Sequence, residues 1–414
     1  MRRGFFKTRW KILLIFLAVA GPGIITSNVD NDAGGIATYS MAGAHFGYTL
    51  LWSLIPIMIA LVIIQEMSAR MGVVTGKGLS DLIRERFGVR ITFYLLLALV
   101  LTNFGNVIAE FAGVASSLEI FNIPKFVSVP IGAFLVWLLV VKGTYRSVEK
   151  VFLFACLFYV TYIISGFLAQ PDWGAVRDGF IAPKFELSTG SLGMLIALVG
   201  TTIAPWMQFY LQSAVVEKNI KVRDYKHSRL DIILGSLIVT LVAGFIILTC
   251  AATLFKAGIR VETAKDAALA LEPLAGKYCS VLFAFGLLNA SLFAASILPL
   301  STAFVVCEGM GWENGVNKKF SEAPQFYGLY SLLIFLGAGI VLLPGIPLFP
   351  VIYISQVING IVLPLILIFI LILINDKKLM GEYVNKGVYN FISWGTVIIL
   401  IGLSIALLAS MLGA

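Results

Sequence analysis

Eleven long apolar runs decide what this chain can fold into. They fall at about 10–43, 48–69, 92–120, 126–142, 149–169, 190–215, 231–255, 276–306, 326–345, 349–374 and 389–412. Each has the length an α-helix needs to cross a bilayer core of about 30 Å. The ten-residue alternating segments of a membrane β-barrel are absent from the sequence. Hydrocarbon offers no partner to a backbone amide, so such runs must satisfy their own hydrogen bonds as helices. The expectation is an all-α integral membrane protein. Composition agrees, with 59% hydrophobic and 13% charged residues, which excludes an ordinary water-soluble enzyme or domain. Residues 1–11 are basic and precede an apolar run, but no small-residue cleavage site closes a short apolar core, so this start reads as retained.

The net charge of +8 raises the question of a nucleic-acid partner. Its distribution answers it. With the N-terminus in the cytoplasm, 23 of the 30 Lys and Arg fall on the inner side and 7 outside. The positive-inside rule then puts the N-terminus in and the C-terminus out, in a multi-pass protein of the cell membrane whose basic charge faces the cytoplasm. The partners expected are the bilayer and a small solute; the chain reads as a monomer with no nucleic acid and no bound cofactor. Cys156, Cys250, Cys279 and Cys307 lie in or beside apolar runs without metal-type spacing, so they read as small packing residues.

Two runs are broken. Residues 21–39 read GPGIITSNVDNDAGGIATY, placing Asp30, Asp32, Asn28 and Asn31 in what would otherwise be hydrocarbon. A carboxylate there costs several kcal/mol, and residues placed at such cost usually face an ion or substrate path. Asp32, beside Ala33-Gly34-Gly35, is the leading candidate to face that path. Asp30 suits capping, a supporting hydrogen bond or charge supply; Asn28 and Asn31 suit ordering water or satisfying unwound backbone. The sixth run, GMLIALVGTTIAPWMQFYLQS over 193–213, carries Pro205 after Gly200, Thr201 and Thr202. Proline removes an amide, so a break is expected near 201–204 with carbonyls left free. In the tenth run Ser355, Gln356 and Asn359 interrupt the apolar sequence, either as glue between helices or as part of a site.

The starts of the two broken spans are five crossings apart, an odd number, so the second block of five runs through the membrane with opposite polarity. This is the punctuation of two inverted five-helix repeats, about 10–169 and 190–374, followed by an extra helix at about 389–412 in one transmembrane domain.

Several blocks carry a family resemblance. GPG with an aspartate nine residues on, QEMSARMGVVTGKGLSDLIRERFG over 65–88, AEFAG over 109–113, GTTIAPWMQFYLQS, and SQVINGIVLPLIL before NDKKLMG together resemble the Nramp family of divalent metal transporters. The resemblance implies a LeuT-type fold. Its departures are informative. The family's Asp-Pro-Gly-Asn becomes Asp32-Ala33-Gly34-Gly35, and its Met-Pro-His becomes Ala204-Pro205-Trp206. Loss of methionine removes a soft thioether, leaving a harder site. Gly35 and Ala204 contribute absence of bulk, which suits an ion that keeps some water, as Mg2+ does. By family position Asp32 is the leading candidate metal ligand, and the carbonyls of Val29 and Thr201 and the amide oxygen of Gln356 face the ion. The family's acid pair is reduced to Glu110, with Val107 at the other position, and the ninth run has no arginine. With only His45 and His227 in the chain, a proton relay through membrane histidines is not expected. This combination is similar to the Nramp-related magnesium transporters, a branch described as moving Mg2+ and Mn2+ without proton coupling.

The expected function is a divalent cation transporter for Mg2+ and Mn2+ that works by alternating access. The alternatives are a proton-coupled Mn2+ or Fe2+ importer of ordinary Nramp type, and a sodium-coupled amino-acid symporter, whose anionic substrate Asp32 would repel. An intramembrane protease needs paired catalytic groups or HExxH, and none is present. Glu66 and Arg70, four residues apart, read as a structural pair.

Overall fold

The computed structural model describes residues 23, 26, 29–142, 159–181, 188–316 and 318–412. The expected features at residues 1–11, at Asn28 and at Cys156 lie outside them. The main helices are α1 (Ala33–Phe46), α2 (Leu54–Thr75), α3 (Leu79–Glu119), α4 (Lys125–Lys142), α5 (Val160–Leu168), α6 (Trp173–Ile181), α7 (Thr189–Thr202) and α8 (Pro205–Glu217). They continue with α9 (Tyr225–Cys250), α10 (Cys279–Met310), α11 (Pro324–Leu342), α12 (Leu348–Ile374) and α13 (Gly387–Leu412). Nine helical stretches among the described residues are long and apolar enough to cross a membrane. The first and fifth expected crossings are described only in their C-terminal parts, α1 and α5.

Two boundaries differ from the sequence reading. The basic segment 70–90, between the second and third apolar runs, is mostly helical: α2 runs to Thr75 and α3 starts at Leu79. Gly76 ends α2 in the left-handed region (φ 66), and Gly88 (φ 82) kinks α3 where the polar part meets the apolar run. Both conformations are open to glycine at little cost. Residues 170–191, between the fifth and sixth apolar runs, contain α6.

Burial sorts the helices. In the most apolar window of 189–217 every residue is buried, against 22% in α13. The interrupted pair α7 and α8 is therefore central, and its break meets protein rather than lipid, as unpaired backbone in a membrane requires. Exposed Ile131 and Phe134 on α4, Leu237 and Leu241 on α9 and Phe391 and Ile398 on α13 give the outer surface its apolar cover. Around the centre, α3 packs along α10 and α12, and α12 along α7. Close approach rests on glycine: a Cβ on Gly200 would lie 2.9 Å from Gly360 Cα, and one on Gly113 would lie 2.5 Å from Ala33 Cβ. Small residues at these crossings let helix backbones touch.

Glu66 and Arg70 pair at 3.2 Å within α2, as expected. Arg70 also donates to the carbonyls of Tyr383 (3.0 Å) and Val384 (3.4 Å) and to Asn385 Oδ1 (2.5 Å), fastening the connector before α13 to α2.

Candidate functional site

The first break lies at residues 30–32, and α1 restarts at Ala33 with Asp32 as its N-cap. Asp32 Oδ1 accepts from Gly35 N at 2.7 Å. Across the helix start, Glu110 Oε2 of α3 accepts from Ala33 N at 3.3 Å, and the two carboxyl groups lie within hydrogen-bonding reach. Two carboxyls thus converge on one helix N-terminus, where the first amides have no partner in the helix and the dipole favours negative charge. Capping gives Asp32 a local structural role that sequence reading did not assign. It also fixes the carboxylate's direction.

The second break falls at Ile203 (φ −128, ψ 60) and extended Ala204 (ψ 144), with Pro205 in the first turn of α8. This is within the expected interval. The last carbonyls of α7 have no continuing helix to bond them, and Ile203 N reaches only Val199 O, at 2.7 Å. Tyr39 OH of α1 lies 2.8 Å from Thr202 Oγ1, so the two broken helices are joined beside their breaks.

Gln356 completes the group. A Cβ on Gly34 would lie 2.5 Å from Gln356 Cδ and 3.0 Å from Asp32 Oδ1, so Gly34 is the surface on which the amide and the carboxylate meet. The expected amide oxygen is turned away: Gln356 Oε1 accepts from Asn359 Nδ2 at 2.9 Å, and Nε2 donates to Ser355 Oγ at 2.9 Å. Asn359 in turn exchanges hydrogen bonds with Asn106 of α3 at 3.0 and 3.1 Å. The negative field of Asp32 favours the amide's NH2 end on this side.

The other expected residues divide. Val29, Thr201 and Ala204 are buried next to the breaks, and Thr201 Oγ1 has no hydrogen-bond partner. Asp30 and Asn31 are buried, and among the described residues none of their side-chain oxygens or the Asn31 amide nitrogen has a hydrogen-bond partner. The Asn31 carbonyl accepts from Tyr159 OH at 2.9 Å. Gly35 does not leave open space, because the Asp30 carbonyl occupies the place its Cβ would take. Its smallness serves backbone closure. Trp206 is a packing residue against Tyr210, with ring centroids 6.1 Å apart. Val107 is apolar because it packs on Gly337 of α11, where a Cβ would meet Val107 Cγ1 at 2.8 Å. Among the described residues no three His, Cys, Asp or Glu gather as a metal cluster, so any ion between the breaks needs amide, hydroxyl, backbone or water oxygens as well.

Gly34, Asn106 and Tyr159 were not singled out as site residues. Asn359 carried a signal as a polar residue one helical turn beyond Gln356; Tyr159 carried none, because its role depends on where α5 crosses the break.

A cavity of about 990 Å³ opens at the far end of α1, lined by Met41, His45, Glu119, Glu262 and Tyr353 among others. Tyr353 stands one helical turn before Gln356 on α12. His45 Nε2 accepts from Val261 N at 3.2 Å and serves the loop there.

The fold has counterparts in known proteins. A solved manganese transporter from Eremococcus coleocola, in complex with an aromatic bis-isothiourea substituted compound, superposes with a TM-score of 0.76 at 23% identity, over 94% of this chain and 85% of that one. MhsT in complex with L-phenylalanine gives 0.61 at 15% identity, over 94% and 98%. These likenesses give the chain the LeuT-type fold. In sequence, the chain is 30% identical over 411 residues to the divalent metal cation transporter MntH of Deinococcus radiodurans, covering 96% of this chain and 91% of the relative. The family model described as natural resistance-associated macrophage protein-like matches residues 23–410, breaks and polar network included, and the chain belongs to that family, Nramp.

Proposed function

We propose that this chain moves divalent metal cations, Mg2+ and also Mn2+, across the cell membrane by alternating access and without a coupled proton. The observation that carries the reading is the chemistry of the two breaks. Residues 30–32 and 203–204 supply carboxylate, amide and backbone oxygens, with no sulfur and no imidazole. Oxygen-only sites suit hard cations; thioether selects softer ones. In this reading Asp32 provides the charge, the carbonyls of Val29 and Thr201 provide neutral oxygens, Gln356 adds its oxygen once its amide turns over from Asn359, and Ala204 leaves room for retained water. Asp30 and Asn31 add buried polar atoms around the unwound segment. The names of the relatives, a divalent metal cation transporter and a manganese transporter, support the substrate class.

No separate energy source is needed for inward movement. A potential of about 100 mV contributes roughly 2.3 kcal/mol per charge, so about 4.6 kcal/mol for a dication. With the N-terminus inside, the 990 Å³ cavity is the external entrance. The opposite end is closed by Ser213 on Glu308 and by Gln212 on the Lys77 carbonyl. Alternating access exchanges which end is closed, by rocking two inverted repeats, about 10–169 and 190–374, with 389–412 as an added helix.

A proton-coupled Mn2+ importer is the second reading, favoured by Glu110 beside Asp32. The test is uptake into proteoliposomes holding a Mg2+-sensitive dye and, in parallel, a pH dye, with the intact chain and with Asp32→Ala. Mg2+ entry that disappears in the variant, without acidification, is the expected result. Exclusion of Mg2+ with joint entry of Mn2+ and protons would overturn the uncoupled reading in favour of the second.

A further inference from the structure

The end of the bundle opposite the cavity holds another set of buried oxygens, near the start of α3. Gly78 is the N-cap of α3 and makes no side-chain cap hydrogen bond. The Glu308 carboxyl, from the last turn of α10, occupies the place a Gly78 Cβ would take. Its Oε1 accepts from Ser213 Oγ of α8 at 2.5 Å, while Oε2 has no hydrogen-bond partner. Gln212, adjacent on α8, donates through Nε2 to the carbonyl of Lys77 at 2.9 Å, leaving its Oε1 unpartnered. Ser80 Oγ, two residues beyond Gly78, is also unpartnered. The three residues are 7%, 0% and 0% exposed.

Buried acceptors normally have donors, and a buried carboxylate without a counter-charge costs several kcal/mol. The basic residues nearest in sequence do not supply one. Lys77 Nζ bonds both oxygens of Glu85, at 2.7 and 2.8 Å, and Arg84 bonds Asp81 at 3.1 Å and the Gly309 carbonyl at 3.4 Å. Asp81 and Glu217 are close enough to add negative potential at Glu308. One carboxylate with amide and hydroxyl oxygens, in a negative field and with no cationic side chain bonded to it among the described residues, is the donor class of a hard divalent cation.

We propose that Glu308, Gln212 and Ser80 form a second divalent-cation site, distinct from the one at Asp32. It lies about 12 Å along α8 from Ala204, at 1.5 Å rise per residue. It bridges α8, which continues the broken helix, to α3 and α10 opposite. The ion is either one leaving the central site or one resident on the cytoplasmic side, and the chemistry is the same for both. Only the first source rests on the transport reading above.

Mn2+ is the probe. It is titrated into the purified full chain carrying Asp32→Ala, with free ion read by electron paramagnetic resonance. One bound ion per chain is expected to remain. Adding Glu308→Gln weakens it at least tenfold, and adding Ser80→Ala instead weakens it about threefold. A purely structural Glu308 would lower the melting temperature and leave the titration unchanged. That outcome, or no bound ion in Asp32→Ala, overturns the proposal. Uptake by vesicles of the Glu308→Gln single variant then separates the sources. A lower maximal rate at unchanged external half-saturation marks an ion in transit, and loss of slowing by preloaded internal Mg2+ marks a resident one. Either supports the site. If the intact chain moves no divalent cation, the transport reading fails, while the titration still decides the second site.

Discussion

Gly34→Ala tests the site where its geometry is tightest. The added Cβ would lie 2.5 Å from Gln356 Cδ, nearer still to its amino nitrogen, and 3.0 Å from Asp32 Oδ1, whereas ordinary contact begins at 3.4 Å. The amide must therefore retreat by about 0.9 Å or more. Asn359 holds it at 2.9 Å on the other side and is itself held by Asn106, so retreat strains or breaks that bond. Overpacking of this kind costs roughly 1 to 3 kcal/mol, and the strained hydrogen bond adds about 1 kcal/mol. Some of the cost falls on stability and lowers the melting temperature. The rest falls on the approach of Gln356 to an ion beside Asp32, where about 1.4 kcal/mol is a tenfold loss of affinity. The expected result is Mg2+ uptake with half-saturation raised at least tenfold in a chain that still folds. Unchanged half-saturation in folded protein would refute the placement of the ion between Asp32 and Gln356.

Three further outcomes follow from the same structure. Ala204→Met restores a thioether at the second break and should raise uptake of Cd2+ relative to Mg2+ by about tenfold or more, in line with the preference of soft ligands for soft ions; competition uptake measures the ratio, and an unchanged ratio places Ala204 outside the ion's reach. Tyr159→Phe removes the hydrogen bond to the Asn31 carbonyl, which is worth about 0.5 to 1.5 kcal/mol, and should lower the melting temperature without changing ion preference. Arg70→Gln leaves Glu66, 3% exposed, without its partner and should destabilise by roughly 3 to 5 kcal/mol; the double variant with Glu66→Gln should recover much of that in thermal melting, and a double variant no more stable than the single would show that Arg70 acts through the 383–385 connector alone.

The breaks were legible in the sequence because they violate a rule that hydrocarbon enforces. An uninterrupted span needs neither Asp32 nor Pro205, so each announces a departure from helix at its own position, and the structure puts the breaks at 30–32 and 203–204. Polar residues inside a span are legible for the same reason, as Gln356 and Asn359 were. What such a rule cannot supply is orientation and pairing. That Asp32 caps α1, that the Gln356 oxygen turns to Asn359, and that Asn359 reaches Asn106 all depend on which helices adjoin, across as many as 253 residues of chain. Gly35 shows the limit most plainly. Substitution of a large residue by a small one reads as space for an ion, but in the folded chain that space belongs to the Asp30 carbonyl, while the neighbouring Gly34 receives Gln356. A glycine in a sequence marks a place where something approaches closely. Whether it is backbone, side chain or ion is decided by the packing of α1 against α12, and α12 in turn packs on α7 through contacts such as Gly360 on Gly200, outside the broken first segment altogether.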